Sequence, residues 1–330
     1  MMFVLSPLRR VAAGAVVLLC TSAQAAPSVI EGKDGWLFAG WESADKIDRA
    51  TLANNVKLLQ EAQSMLAAQH IGLLVMVVPS KAPLYPQRLP AGATLSADMA
   101  HRYDEVLAQL EKAGVPSFDD RAVLQAVEGS AVEGGDGAKA SAFYRSDYHW
   151  TAWSAEASAA AVAKLIASRW PLAPSSSPGT TLGAWTTDRH YGDLAENFMS
   201  PEDRKRIGRE SYTVRTTPEP VGGLLDGAPP QVVVVGNSFV QPYLGFPQKL
   251  SNALGRPVGL TWNPGNISPW KTLLDAVSTP GFAQHKPKLV VWQFNEARME
   301  TALDSTAAWD AGSAMSPAAW RGKLNAALKQ

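Results

Sequence analysis

Cysteine is almost missing from this 330-residue chain. The only one, Cys20, lies in the apolar part of the N-terminal segment, behind Leu19, where a lipid-modified cysteine would want a small neighbour. Disulfides, thiol catalysis and cysteine-ligated metals are therefore excluded for the chain beyond that segment. Long apolar runs are missing as well. Val11 to Leu19 is the best of them, and it falls well short of the about 20 residues that cross a bilayer. Nor is there an excess of one charge: 30 Lys and Arg stand against 30 Asp and Glu, and the longest basic run is Arg204-Lys205-Arg206. Binding a phosphate backbone needs a concentrated positive face, so no nucleic acid is expected as partner.

What is present begins with an address. Arg9 and Arg10 precede the apolar run, and Ala23-Gln24-Ala25 follows it with the small-x-small pattern that signal peptidase reads. The expectation is a secretory signal over residues 1–25, cleaved to leave Ala26-Pro27 in front, and a protein exported to the periplasm; an uncleaved N-terminal membrane anchor is the alternative. Without disulfides such a protein depends on its apolar core, and at 46% apolar residues one is available. Some of the eleven tryptophans must be core; in an exported protein a few of them are expected to stack on sugar rings. No internal repeat is visible, so 26–330 reads as one domain.

The periodicities alternate. Apolar residues at helical spacing run through 50–70, 96–113 and 153–170, with another helix starting at Arg121. Between them lie strand-length apolar runs: Ile71 to Pro79, Val115 to Asp119, Gln231 to Val235, Val258 to Trp262 and Lys288 to Phe294. Glu128 to Ser141 is rich in Gly and small polar residues and reads as a loop, and Leu172 to Thr181 as a connector. This is an α/β pattern: a sandwich of helices around a mostly parallel sheet.

Ser238, in Val235-Gly236-Asn237-Ser238-Phe239, directly follows one of the buried strands, and carboxyl ends of parallel strands are where ligands bind. A serine hydroxyl needs an adjacent base to become a nucleophile; the plainer alternative is a helix cap. The base candidate is His149, with Asp147 two residues before it to hold the imidazole tautomer. The other four histidines stand in ordinary polar or element-end contexts. The alternatives here are that Asp147 starts the next helix while His149 fills a surface notch, or that the pair ligates a metal. Metal is disfavoured because no second histidine or carboxylate stands at ligand spacing.

GKDGWLF at 32–38, VVPSK at 77–81, FYRSDYHWT at 143–151, YGDLA at 191–195, VGNSF at 235–239 and VVWQFNEAR at 290–298 together resemble the alginate O-acetyltransferase AlgX/AlgJ family, over nearly the whole chain after the signal. The resemblance implies an SGNH hydrolase-like three-layer sandwich and a Ser238–His149–Asp147 site. The motif order, Asp and His before Ser, is that of a circularly permuted domain. It further implies an O-acetyltransferase acting on an exopolysaccharide acceptor, with a membrane-bound acetyl-donor partner protein and no cofactor. With only about thirty residues after the last motif, the C-terminal carbohydrate-binding module of some relatives is not expected here. A carbohydrate acetyl esterase, or a non-catalytic polysaccharide-binding or secretion scaffold, are the competing readings.

Acyl transfer also needs donors aimed at the developing oxyanion. The Ser238 N–H is the first candidate. Asn263, Gly265 and Asn266 are others, because they follow a predicted strand, although a structural turn explains Asn-Pro-Gly-Asn equally well. Arg298 matches the arginine of the family's last motif and is expected to orient substrate or brace the site; otherwise it pairs with Glu296 or Asp193. Two departures stand out: Asn237 where relatives show Thr or Asp, and Gln293 where an acidic residue is expected.

Overall fold

The computed structural model describes residues 28–43, 45–134, 137, 139–216 and 228–330; the expected signal or anchor lies outside them. Nine strands are present in that range: β1 (Val29–Glu31), β2 (Leu37–Ala39), β3 (Gly72–Val78), β4 (Ser117–Asp119), β5 (Trp185–His190), β6 (Glu210–Arg215), β7 (Val232–Gly236), β8 (Val258–Trp262) and β9 (Leu289–Asn295). Five form a parallel sheet in the order β4-β3-β9-β7-β8. The others pair as two antiparallel hairpins, β1 with β2 and β5 with β6.

Unbroken apolar strands require cover on both faces, because successive side chains point opposite ways. Along β3, Leu73, Val75 and Val77 face one cluster with Leu52, Leu59 and Trp270, from helices Arg49–Ala67 and Pro269–Val277. Leu74, Met76 and Val78 face the other, with Ala155, Ala159 and Val162 of helix Ala152–Arg169 and Phe246 of helix Phe246–Leu254. Burying each of these aliphatic side chains contributes about 1.5–3 kcal/mol. The result is the three-layer arrangement expected from the sequence. No helix among the described residues is long and apolar enough to cross a membrane.

The strongly periodic segments lie where expected: helices Arg49–Ala67, Ala97–Lys112, Arg121–Val127 and Ala152–Arg169, and all five sheet strands. The β5–β6 hairpin had no counterpart in the sequence reading. Its first strand, Trp-Thr-Thr-Asp-Arg-His, is exposed along most of its length, so it carries no apolar alternation. Between its strands lie the short helices Asp193–Phe198 and Pro201–Ile207. Through Asp193, Glu210 and Tyr212 this segment reaches the site.

Candidate active site

Ser238 opens a single 3-10 turn, Ser238–Val240, directly after β7. Asn237 caps that turn, its side-chain oxygen accepting from Phe239 N at 3.0 Å. The first N–H groups of a helix have no partner within it, so the turn presents the Ser238 N–H together with its hydroxyl. Gly236 is required by close approach: a Cβ there would stand 2.7 Å from the side-chain oxygen of Gln293. That oxygen accepts from Asn237 N at 3.1 Å. The Gln293 amide donates to Asn295 Oδ1 at 3.2 Å, and the Asn237 amide donates to the same oxygen. The two departures from the family pattern are thus physically linked. Asn237, Gln293 and Asn295 form one neutral amide network, and an acid at 293 could not donate to Asn295.

His149 and Asp147 sit on a loop pinned at several points. Phe143 and Trp150 form an antiparallel bridge, and Thr151 N donates to Ala142 O at 3.0 Å. Thr151, not Asp147, caps helix Ala152–Arg169. The buried indole N–H of Trp150 donates to Phe239 O at 3.0 Å, tying the histidine loop to the serine turn. Across that tie His149 Nε2 lies 2.8 Å from Ser238 Oγ, and His149 Nδ1 lies 2.8 Å from Asp147 Oδ1. The structure therefore brings Ser238, His149 and Asp147 into one hydrogen-bonded line.

A second carboxylate attends the same imidazole. Asp193 Oδ2 lies 3.3 Å from His149 Nδ1. Its other oxygen accepts from Tyr148 N at 2.6 Å, while Asp193 N donates to Asp147 Oδ2 at 3.2 Å. This approach depends on Gly192, where a Cβ would meet the backbone of Ser146 at 2.3 Å. Asp147 Oδ2 also accepts from Tyr212 OH at 2.6 Å. Burial opposes the charge on Asp147, but the His149 imidazolium and these donors hold its carboxyl well below the usual range. Burial likewise opposes charge on His149, and Asp147 and Asp193 outweigh it, raising the imidazole well above its ordinary value. Burial and the neighbouring Asp147 charge push Asp193 up to about 6, against the pull of His149.

Beneath them, Lys81 is 3% exposed and donates to the carbonyls of Leu37, Arg145 and Asp147 at 2.8, 2.8 and 3.0 Å. Burial pulls it down to about 8, opposed by Glu210, Asp147, Asp193 and Glu42. Glu210 receives Arg145 N and Ser146 N, each at 2.7 Å. Asp193, Tyr212, Glu210 and Lys81 all escaped assignment from the sequence. Only YGDLA and VVPSK, two of the shared motifs, marked the positions of Asp193 and Lys81. The spacing argument against a metal also missed Asp193, since Asp147, His149 and Asp193 each place a ligand-type atom within 4.8 Å of the others. Those atoms are engaged with one another through hydrogen bonds, and His149 Nε2 with Ser238.

The remaining expected residues group differently. Asn263 N donates to Gly236 O at 3.2 Å, which sets it beside the end of β7, but its amide turns onto Thr272 at 3.2 Å and Asp275 at 3.1 Å. Gly265 and Asn266 belong to a turn closed by Ile267 N to Pro264 O at 2.9 Å, and Asn266 O accepts from Asp310 N. Among the described residues no hydrogen bond joins these three side chains or turns to Ser238 Oγ. Arg298 donates to Gly265 O at 3.4 Å and lies 4.9 Å from the Trp309 ring centre. The carboxylates expected as its alternatives are taken: Glu296 by Arg102 at 2.7 Å and Asp193 by His149.

Comparison with known proteins places this chain among relatives. The family model described as "SGNH hydrolase-like domain, acetyltransferase AlgX" matches residues 29–296. The probable alginate O-acetylase AlgJ of Pseudomonas aeruginosa is 29% identical over 297 residues, covering 84% of this chain and 72% of that protein. The O-acetyltransferase domain of Pseudomonas putida AlgJ superposes with a TM-score of 0.72 at 24% identity, over 91% of this chain and 99% of that one. Pseudomonas aeruginosa AlgX gives 0.58 at 19% identity, over 81% of this chain and 62% of that one. The two superpositions speak for the fold.

Proposed function

We propose that this chain, which belongs to the AlgX family of SGNH hydrolase-like acetyltransferase domains, transfers acetyl groups onto an alginate-like exopolysaccharide through an acetyl-serine at Ser238. The observation that carries the reading is the unbroken line Asp147–His149–Ser238, with 2.8 Å at each contact, at the carboxyl end of a parallel strand. His149 Nε2 takes the Ser238 proton as Oγ attacks the carbonyl carbon of an acetyl ester. Asp147 stabilises the imidazolium, and the Ser238 N–H faces the developing oxyanion. The tetrahedral adduct collapses, the donor alcohol leaves with the proton from His149, and acetyl-Ser238 remains. A sugar hydroxyl then attacks, giving its proton to His149, and Ser238 departs as it recovers that proton. If water attacks instead, the same steps make an acetyl esterase.

The relatives' names support a polysaccharide acceptor, and Ala23-Gln24-Ala25 supports export to the periplasm. A membrane-bound partner is the proposed acetyl source. The intact hydrogen-bond line argues against a purely structural scaffold. The test is turnover of a chromogenic acetyl ester, followed by transfer to an unacetylated glycan. Wild type is expected to yield an acetylated Ser238 peptide by mass spectrometry, and Ser238→Ala to fall to background at an unchanged melting temperature. Equal rates in the two proteins would end this reading.

A further inference from the structure

The large apolar side chains left exposed are few. Among the described residues they are Trp41, Phe198, Tyr243 and Trp262, exposed by 36 to 49%. All four are aromatic, and each is tied to the Ser238–His149 pair through residues already described. Trp41 contacts Phe198 and Tyr148, with ring centres 5.3 and 5.5 Å apart, and Tyr148 packs edge-on to His149 at 5.8 Å. Tyr243 follows the Ser238 turn in sequence, and its hydroxyl lies 3.3 Å from His190 Nε2. His190 stacks on Tyr212 at 3.6 Å, and Tyr212 holds Asp147. Trp262 ends β8 at the register position opposite Gly236, two residues before Ser238. Of the other nine tryptophans, Trp36, Trp150, Trp270, Trp292, Trp309 and Trp320 are buried, and Trp153, Trp170 and Trp185 are half-buried.

We propose that these four rings form two subsites flanking Ser238, Trp41 with Phe198 on one side and Tyr243 with Trp262 on the other, that stack pyranose rings of the acceptor glycan. The proposal rests on the transferase reading and extends it from the acetyl group to the chain that receives it. An acetyl group is too small to reach rings set on both sides of the serine. A pyranose presents apolar C–H faces with polar rims, which suit the electron-rich face of an aromatic ring beside hydrogen-bonding groups. Tyr243 OH and His190 supply such groups here. Among the described residues the exposed large apolar set contains no aliphatic side chain. Holding rings on both sides also fixes which hydroxyl reaches acetyl-Ser238.

The test separates binding from chemistry. In Ser238→Ala protein, unacetylated alginate oligosaccharides and cello-oligosaccharides are titrated by tryptophan fluorescence. Trp41→Ala and Trp262→Ala, added singly, are expected to weaken binding of at least one of these probes about tenfold, and Trp41→Phe to recover most of it. In the Ser238 protein the same changes are expected to raise KM for the oligosaccharide more than they lower kcat. Melting temperatures check that each variant folds. Unchanged affinity for both probes in both variants overturns the subsites. So does normal oligosaccharide binding combined with lost acetylation in cells, which would make the rim a protein-docking face. Chromogenic ester turnover by wild type is measured alongside: its absence counts against the Ser238 chemistry, while the fluorescence titration still decides the subsites.

Discussion

Two buried charge clusters lie at the carboxyl ends of the sheet strands, and they behave differently. One is built on Arg102, which donates to Glu296 at 2.7 Å, to Glu42 O at 3.2 Å and to Ser80 Oγ at 2.9 Å. Ser80 N completes it by donating to the other oxygen of Glu296 at 2.8 Å. The other is built on His149, with two carboxylates on Nδ1 and a neutral hydroxyl on Nε2. Tyr148 stands between them, giving its N–H to Asp193 and its hydroxyl to Glu42 at 2.8 Å. Arginine keeps its charge at any working pH, so the first cluster is closed. Histidine can give its proton up, and its remaining partner is a nucleophile. Burial and pairing are common to both clusters, so neither property marks chemistry. The mark is a titratable group whose last contact is a reactive hydroxyl.

Breaking the His149 cluster should cost activity, and breaking the Arg102 cluster should cost stability. Asp147→Asn would leave the geometry but favour the wrong tautomer, so acetyl-ester turnover at neutral pH is expected to fall by about 10³–10⁴-fold with little change in melting temperature. Arg102→Met would strand Glu296 without its partner, and denaturant unfolding should report a loss of about 3–5 kcal/mol. The smallest effect sharpens the contrast. Asp193 helps hold His149 protonated, and the base must be neutral to act. Asp193→Asn should therefore lower the imidazole pKa and move the acid limb of the rate profile to lower pH, with the plateau rate changing by less than about tenfold. A pH–rate profile that does not move would remove Asp193 from the electrostatics of the site.

The residues legible in the sequence are those whose setting is local. Asp147 and His149 are two apart, and Ser238 directly follows an apolar strand, so pattern and motif sufficed to single them out. The strands β3, β7 and β9 were legible because burial on both faces leaves continuous apolar runs. Asp193, Tyr212 and Glu210 are different: they come from the segment of exposed β5 and half-buried β6 and reach the loop at 145–149 only in three dimensions. Nothing near them in sequence encodes that contact. Asn263 illustrates the opposite failure. Its position after a strand was read correctly, but the direction of its side chain depends on Thr272 and Asp275 in the following helix.

The place of β9 has a consequence for how the molecule comes into being. It hydrogen-bonds to β3 on one side and β7 on the other, yet it is the last strand along the chain. A chain emerging from its N-terminus, whether from a ribosome or a translocation channel, presents the residues of β3, β4, β7 and β8 before the strand that joins the two pairs. Such non-local pairing is slow, because the loop must close before any contact rewards it. The sheet whose β7 end carries the serine turn is thus complete only once residues 289–295 have paired on both sides.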